Sequence, residues 1–244
     1  MLRLIRAPLV FALLLAVALA AMLYGTGGQP SVAAPSAAAP AIEVGVAPAG
    51  RNSMEFVGIV DQDGLNFSYY GYVTHLYGIT NTLLFANPLQ QDETTARFTF
   101  HGAANMTGRS IISNVFNLNA AGTITFYFDP LPGADFDDPS SFIRGTAVAT
   151  ATTRFHNVLT VIAPDTGLAS GVAELEQIAT QPVELLGQSV QLGRNTLQQR
   201  FTYTGFGVRL EPATPRAVII IAADGQVTGA STFLPQVLDG PASR

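Results

Sequence analysis

Four carboxylates stand within ten residues of one another at Asp129, Asp135, Asp137 and Asp138. Pro130, Pro132 and Pro139 punctuate the same stretch. Calcium takes about six to eight oxygen ligands, and a proline-stiffened run of carboxylates can offer several at once. The spacing lacks the frame and closing glutamate of an EF-hand. The segment therefore reads first as a solvated acidic loop at a strand end, with calcium or another hard cation as the chemistry open to it. No other cofactor is expected.

A second constellation is aromatic. Alternation from Asn66 onward places Phe67, Tyr69, Val73, His75 and Tyr77 on one face of an extended segment, with Gly71 leaving a gap. Tyr70 and Tyr72 fall on the other face. Rings with polar tips suit a glycan, a peptide or a small amphipathic molecule. Tyr69, His75 and Tyr77 are thus the candidate ligand-binding residues. The plainer reading is that they pack a sheet.

The remaining templates for chemistry fail. His75, His101 and His156 are too widely spaced for a local metal motif, and alternation turns His101 and His156 away from their phenylalanine neighbours. Glu174 and Glu176 share a strand face, but nothing fixes them across a substrate as paired acid catalysis requires. There is no Gly-x-Ser-x-Gly elbow, no phosphate loop and no His-Glu-x-x-His. Without cysteine there is neither thiolate chemistry nor a disulfide. Asn66-Phe67-Ser68 and Asn105-Met106-Thr107 match the N-glycosylation triplet, a pattern that chance produces readily. No catalytic residue is assigned.

What must position such residues is a sheet. Period-two alternation recurs at Phe98 and Phe100, at Ile124, Phe126 and Phe128, and at Phe155, Asn157, Leu159 and Val161. Turn signals appear at Asp61–Gly64, Asn105–Gly108, Asn119–Gly122, Pro164–Gly167 and Ala223–Gly225. The expected strands are 54–61, 65–78, 80–86, 95–102, 109–118, 122–129, 142–153, 155–163, 168–178, 183–192, 197–210, 216–222 and 226–233. Residues 170–180 also carry a helical option. Short connections favour antiparallel order over crossovers. The fold class is all-β: a single antiparallel β-barrel or β-sandwich domain over 54–235. The small residues of Ile143-Gly145-Ala147-Ala149-Ala151 line either a close layer contact or a narrow interior.

An N-terminal hydrophobic helix and a flexible linker precede that domain. Arg3 and Arg6 lead into an uncharged run from Leu9 to Tyr24, and residues 1–24 read as a signal peptide or signal anchor. Residues 25–53, rich in Ala, Pro and Gly, read as a linker, and 236–244 as a tail. The expected location is secreted or extracytoplasmic, with membrane contact through the N-terminal segment if it is not cleaved. All twelve basic residues are arginine. Setting aside Arg3 and Arg6 leaves ten against seventeen acids. That balance lacks the basic stripe of a nucleic-acid surface.

These features point to an exported or membrane-tethered β-rich protein with a binding or structural role. Two other classes compete. One is a small extracytoplasmic isomerase, cyclase or hydrolase with its site inside a barrel cavity. The other is a surface-assembly subunit.

Overall fold

The computed structural model describes residues 40–211 and 216–230. The leader over 1–24, the tail over 236–244 and the first part of the linker lie outside them. Among the described residues the chain forms eleven strands: β1 (Ile42–Val44), β2 (Asn52–Asp63), β3 (Asn66–Leu76), β4 (Phe98–Ile112), β5 (Val115–Phe128), β6 (Thr146–Ala163), β7 (Thr166–Thr180), β8 (Pro182–Leu185), β9 (Gln188–Leu192), β10 (Leu197–Glu211) and β11 (Arg216–Ala230). A one-turn helix α1 (Asn81–Leu84) and a 3-10 turn (Pro139–Ile143) complete them. The linker expected over 25–53 gives way to strand by Ile42.

Eight strands close into an antiparallel barrel in the order β2-β3-β4-β5-β6-β7-β10-β11, the last pairing back onto the first. The architecture is thus a barrel and not a sandwich. Pairing followed from Glu211 through Arg216, Asp63, Asn66, Asn105, Ala121, Arg154 and Glu174 returns to β10 at Arg200. That displacement along β10 is the stagger of a closed barrel, whose strands tilt by about 35–45°. Closure also removes the exposed edges that a cysteine-free sheet would otherwise leave.

The strands are longer than the turn signals suggest. Asn105–Gly108 and Asn119–Gly122 are not turns but stretches of β4 and β5 paired with each other. Ala223–Gly225 runs through the middle of β11. The expected pair 142–153 and 155–163 is the single strand β6. Glycine at two of these places, Gly122 and Gly225, serves close approach. A β-carbon at Gly122 would stand 1.9 Å from the Ala103 carbonyl oxygen, and one at Gly225 would stand 2.3 Å from the Phe201 ring. The signals at Asp61–Gly64 and Pro164–Gly167 do mark hairpins, and Asp165 takes the left-handed conformation there (φ 59°). Residues 80–86, expected as a strand, hold α1 and one bridging residue, Phe85. Residues 170–180 lie in β7 as strand.

One end of the barrel is shut. β1, β9 and β8 form a small three-stranded sheet there, with Val44, Leu185, Val190 and Leu192 buried in the main core beside Met54 and Leu76. Buried amides pin this cap. Gln177 donates to the Leu192 carbonyl at 2.8 Å, and Gln199 donates to the Gly45 carbonyl at 3.2 Å and to Ser53 Oγ at 3.1 Å. A buried amide must be paired to avoid a desolvation cost of about 1–3 kcal/mol, so these bonds fix how the cap seats. Below it Phe98, Phe100, Phe126, Phe128 and Phe201 fill the closed half.

The acidic segment wraps the outside. Phe142 is fully buried against Tyr70, with ring centroids 5.3 Å apart, and Phe136 lies 6.2 Å from both Tyr70 and Tyr72. Thr99 Oγ1 donates to the Phe142 carbonyl at 2.7 Å. The aromatics seat the loop, and its carboxylates close its turns.

Candidate functional site

The hairpins β2–β3, β4–β5, β6–β7 and β10–β11 all point to the end away from the cap. The barrel is hollow there. A cavity of about 330 Å³ lies between the inward faces of these strands. That falls within the roughly 300–1,000 Å³ typical of small-molecule sites. The space arises from tapering along each strand. On β10 the inward positions run Phe201, Tyr203, Gly205, Gly207, from large at the closed half to nothing near the mouth. On β7 they run Leu175, Ala173, Gly171, Ala169. Phe56, Phe100 and Leu175 close the bottom, while Phe116, Leu159, Val161 and Ile219 form the upper walls.

Two tyrosines face this space and differ in one respect. Tyr69 donates to the Thr123 carbonyl at 2.7 Å and lies 3.2 Å from Thr153 Oγ1. Burial holds its phenol far above the usual value, and the Thr153 bond offsets this in part. Burial raises the Tyr203 phenol as well, but its hydroxyl is buried with no hydrogen-bond partner. Phe155 stands between them, 5.3 Å from Tyr69 and 6.5 Å from Tyr203, edge-on to both. The three rings make an aromatic wall in which one donor is unspent.

The charged groups on the cavity wall are Arg109, Arg209 and Asp165. Arg109 owes its place to a bulge. The register of β4 against β5 shifts between Met106 and Gly108, so that Met106 opposes Ala120 and Arg109 opposes Leu118, both inward positions. Without the extra residue, Thr107, strict alternation would carry Arg109 outside. The Arg109 side chain makes no hydrogen bond or ion pair with another described residue. Pairing across β4, β5, β6, β7 and β10 places Arg109, Leu118, Asn157, Gly171 and Tyr203 in one row. Because the strands tilt, the row descends from Arg109 near the end of β4 to Tyr203 in the middle of β10.

The sequence candidates are distributed as follows. Tyr69 lines the cavity beside Phe67, and Tyr70 and Tyr72 face outward. His75 does not share the Tyr69 face. A register shift lies between its partner Glu55 and Phe56, with Phe56 paired to Val73, so Thr74 is the extra residue and His75 turns to the outer surface with Glu55. Tyr77 follows the end of β3, its carbonyl accepting from the Gly45 amide at 2.8 Å. Tyr69, His75 and Tyr77 therefore do not form one surface.

The acidic loop does not gather its carboxylates. Asp129 accepts from the Leu131 amide, Asp135 from the Asp137 amide, and Asp138 from Ser140 and from Arg144 at 2.7 Å. These bonds, led by Ser140, hold the Asp138 carboxyl below its usual range. No group of three or more His, Asp or Glu side chains that could hold a metal ion occurs among the described residues. His156 faces outward, with Nδ1 2.9 Å from Asn119 Oδ1. Glu174 sits 4.0 Å from Arg200, both exposed.

Sequence reading missed Tyr203, Phe155, Thr153 and Arg109. The falling side-chain size from Phe201 to Gly207 was a signal for the first. The bulge that aims Arg109 has no local signature beyond Thr107-Gly108.

The fold and site define a class: a closed eight-stranded antiparallel barrel, capped at one end and hollow at the other. No family model, curated protein or solved structure compared with the chain matches it.

Proposed function

We propose that the barrel is a non-catalytic binder of an elongated amphipathic small molecule. The apolar body lies along the cavity, an anionic end meets Arg109 near the mouth, and an acceptor atom reaches the Tyr203 hydroxyl. The observation that carries this reading is the buried, unpartnered Tyr203 phenol inside a mostly apolar cavity. An unpaired buried hydroxyl costs about 1–3 kcal/mol, and a ligand acceptor recovers that cost. The titratable groups on the wall suit recognition. Burial raises both phenols, leaving the unspent Tyr203 hydroxyl as a donor, and the Arg109 guanidinium offers a fork of donors that matches a carboxylate.

Calorimetric titration with dodecanoate and with dodecanol tests the reading. Saturable binding of both is expected, tighter for the acid. Arg109→Gln should remove the preference for the acid, and Ala169→Phe, which fills the cavity, should abolish binding of both. Absence of binding by the wild-type protein, or binding unchanged in the filled variant, would refute it. Longer homologues should gain about 0.8 kcal/mol per methylene, or about fourfold in affinity, until the cavity is full.

A further inference from the structure

Exposed apolar side chains occur near both ends of the barrel, Leu89, Leu131 and Leu186 among them at the capped end, but at the open end they ring the cavity mouth. The hairpin tips carry Leu65 at 60% exposure, Ile112 at 79% and Ile162 at 55%. Leu210 stands exposed at the end of β10. Just below, Leu168, Phe206 and Ile220 lie side by side on β7, β10 and β11, all exposed. Isolated exposed apolar residues need no explanation, but a band encircling one opening does.

We propose that this rim docks on a lipid bilayer, with the mouth facing the acyl phase. Two observations select a bilayer over a second copy of the chain. The tips stand on separate hairpins spaced around the opening, each flanked by polar turn residues such as Asp63, Asn114 and Asp165. Points of this kind sink into a deformable phase, whereas a protein face would need a matching hollow for each. Second, the hollow they enclose is the cavity mouth, so an apolar molecule would pass between bilayer and barrel without crossing water. The rim carries Asp63, Asp165 and Glu211 as well as Arg109, Arg209 and Arg216, so the attraction is apolar and should persist in high salt.

This inference does not depend on which molecule the cavity takes. The chain contains no tryptophan, so single probes report without background. Full-length Ile112→Trp, Leu65→Trp and Leu89→Trp proteins, the last probing an exposed loop near the capped end, are mixed with phosphatidylcholine vesicles bearing brominated acyl chains. The two rim probes should shift to the blue and lose several-fold in intensity, while Leu89→Trp stays unquenched. Adding Ile112→Asp to Leu65→Trp should restore most of the intensity, with the melting temperature unchanged because Ile112 is exposed. Equal quenching of all three probes, or of none, overturns the proposal. A blue shift without vesicles, accompanied by a mass that rises with concentration, overturns it in favour of a second copy.

Discussion

The Tyr203 ring lies across Gly171, so closely that a β-carbon at Gly171 would stand 2.5 Å from the phenol oxygen and 2.5 Å from the His156 carbonyl oxygen. The side chain facing the cavity from β10 thus depends on a missing side chain on β7. Gly171→Ala must displace both the tyrosine and a strand backbone, and overpacking of this kind costs about 1–3 kcal/mol. Denaturant unfolding should show that loss, and dodecanoate binding should weaken at temperatures where the variant stays folded. Unchanged binding would mean that the Tyr203 position is not set by Gly171.

Tyr69 and Tyr203 should respond in opposite senses to loss of their hydroxyls. Tyr69→Phe removes bonds to Thr123 and Thr153 and leaves the buried Thr153 hydroxyl without its tyrosine partner, so a stability loss of about 1–3 kcal/mol is expected. Tyr203→Phe removes an unpaired buried hydroxyl. The ligand-free protein should be as stable as the wild type or more stable, by up to about 1–3 kcal/mol. Affinity should fall for ligands whose acceptor reaches that depth. Urea unfolding of both variants, with and without 12-hydroxydodecanoate, whose far hydroxyl supplies an acceptor at that depth, checks the contrast. Equal destabilisation by the two substitutions would refute it.

Much of this fold was legible because alternation is a property of neighbouring residues. Phe98 and Phe100, or Ile124, Phe126 and Phe128, declare their faces without reference to anything distant. Closure did not show, since pairing β11 with β2 joins residues at opposite ends of the domain and leaves no local trace. Glycine misled at Gly122 and Gly225, where the physical demand is contact with Ala103 and Phe201 and not a turn. The site was harder still. Tyr69 was visible as an aromatic on an alternating strand, but one inserted residue at Thr74 sends His75 outward, and another at Thr107 brings Arg109 in. A bulge shifts every later side chain by one face, so an error of one residue reverses a functional assignment.

The loop over 129–145 provides a third prediction. Its carboxylates sit at exposed turns, whereas Phe142 is fully buried. Phe142→Ala should destabilise by about 3–5 kcal/mol, the usual cost of deleting a buried phenylalanine. Asp135→Asn keeps an acceptor for the Asp137 amide and should change stability by less than about 1 kcal/mol. Calcium should leave the melting temperature of both wild type and Asp135→Asn where it was. A rise with calcium that the asparagine variant lacks would instead show that the loop gathers a cation.

The last prediction concerns pH and His101. The ring lies on the outer face, stacked at 6.4 Å from the Tyr70 ring, with Nε2 3.5 Å from Ser68 Oγ. Tyr70 in turn donates to Asp61 at 3.2 Å, and its own phenol is pushed up to about 12, by burial first and then by Asp61. Burial lowers the His101 pKa below its ordinary value. In the unfolded chain the imidazole takes its proton near pH 6.5, while in the folded protein it stays neutral to lower pH. Between those two values the unfolded state binds more protons, so stability rises with pH across the window and falls as the solution is acidified below about 6.5. His101→Gln removes this contribution while preserving a polar group beside Ser68. Melting temperatures of wild type and variant between pH 5 and 8 should therefore diverge on the acid side, the wild type dropping more steeply. Parallel curves would show that His101 titrates alike in the folded and unfolded chains, and that acid lability comes from elsewhere.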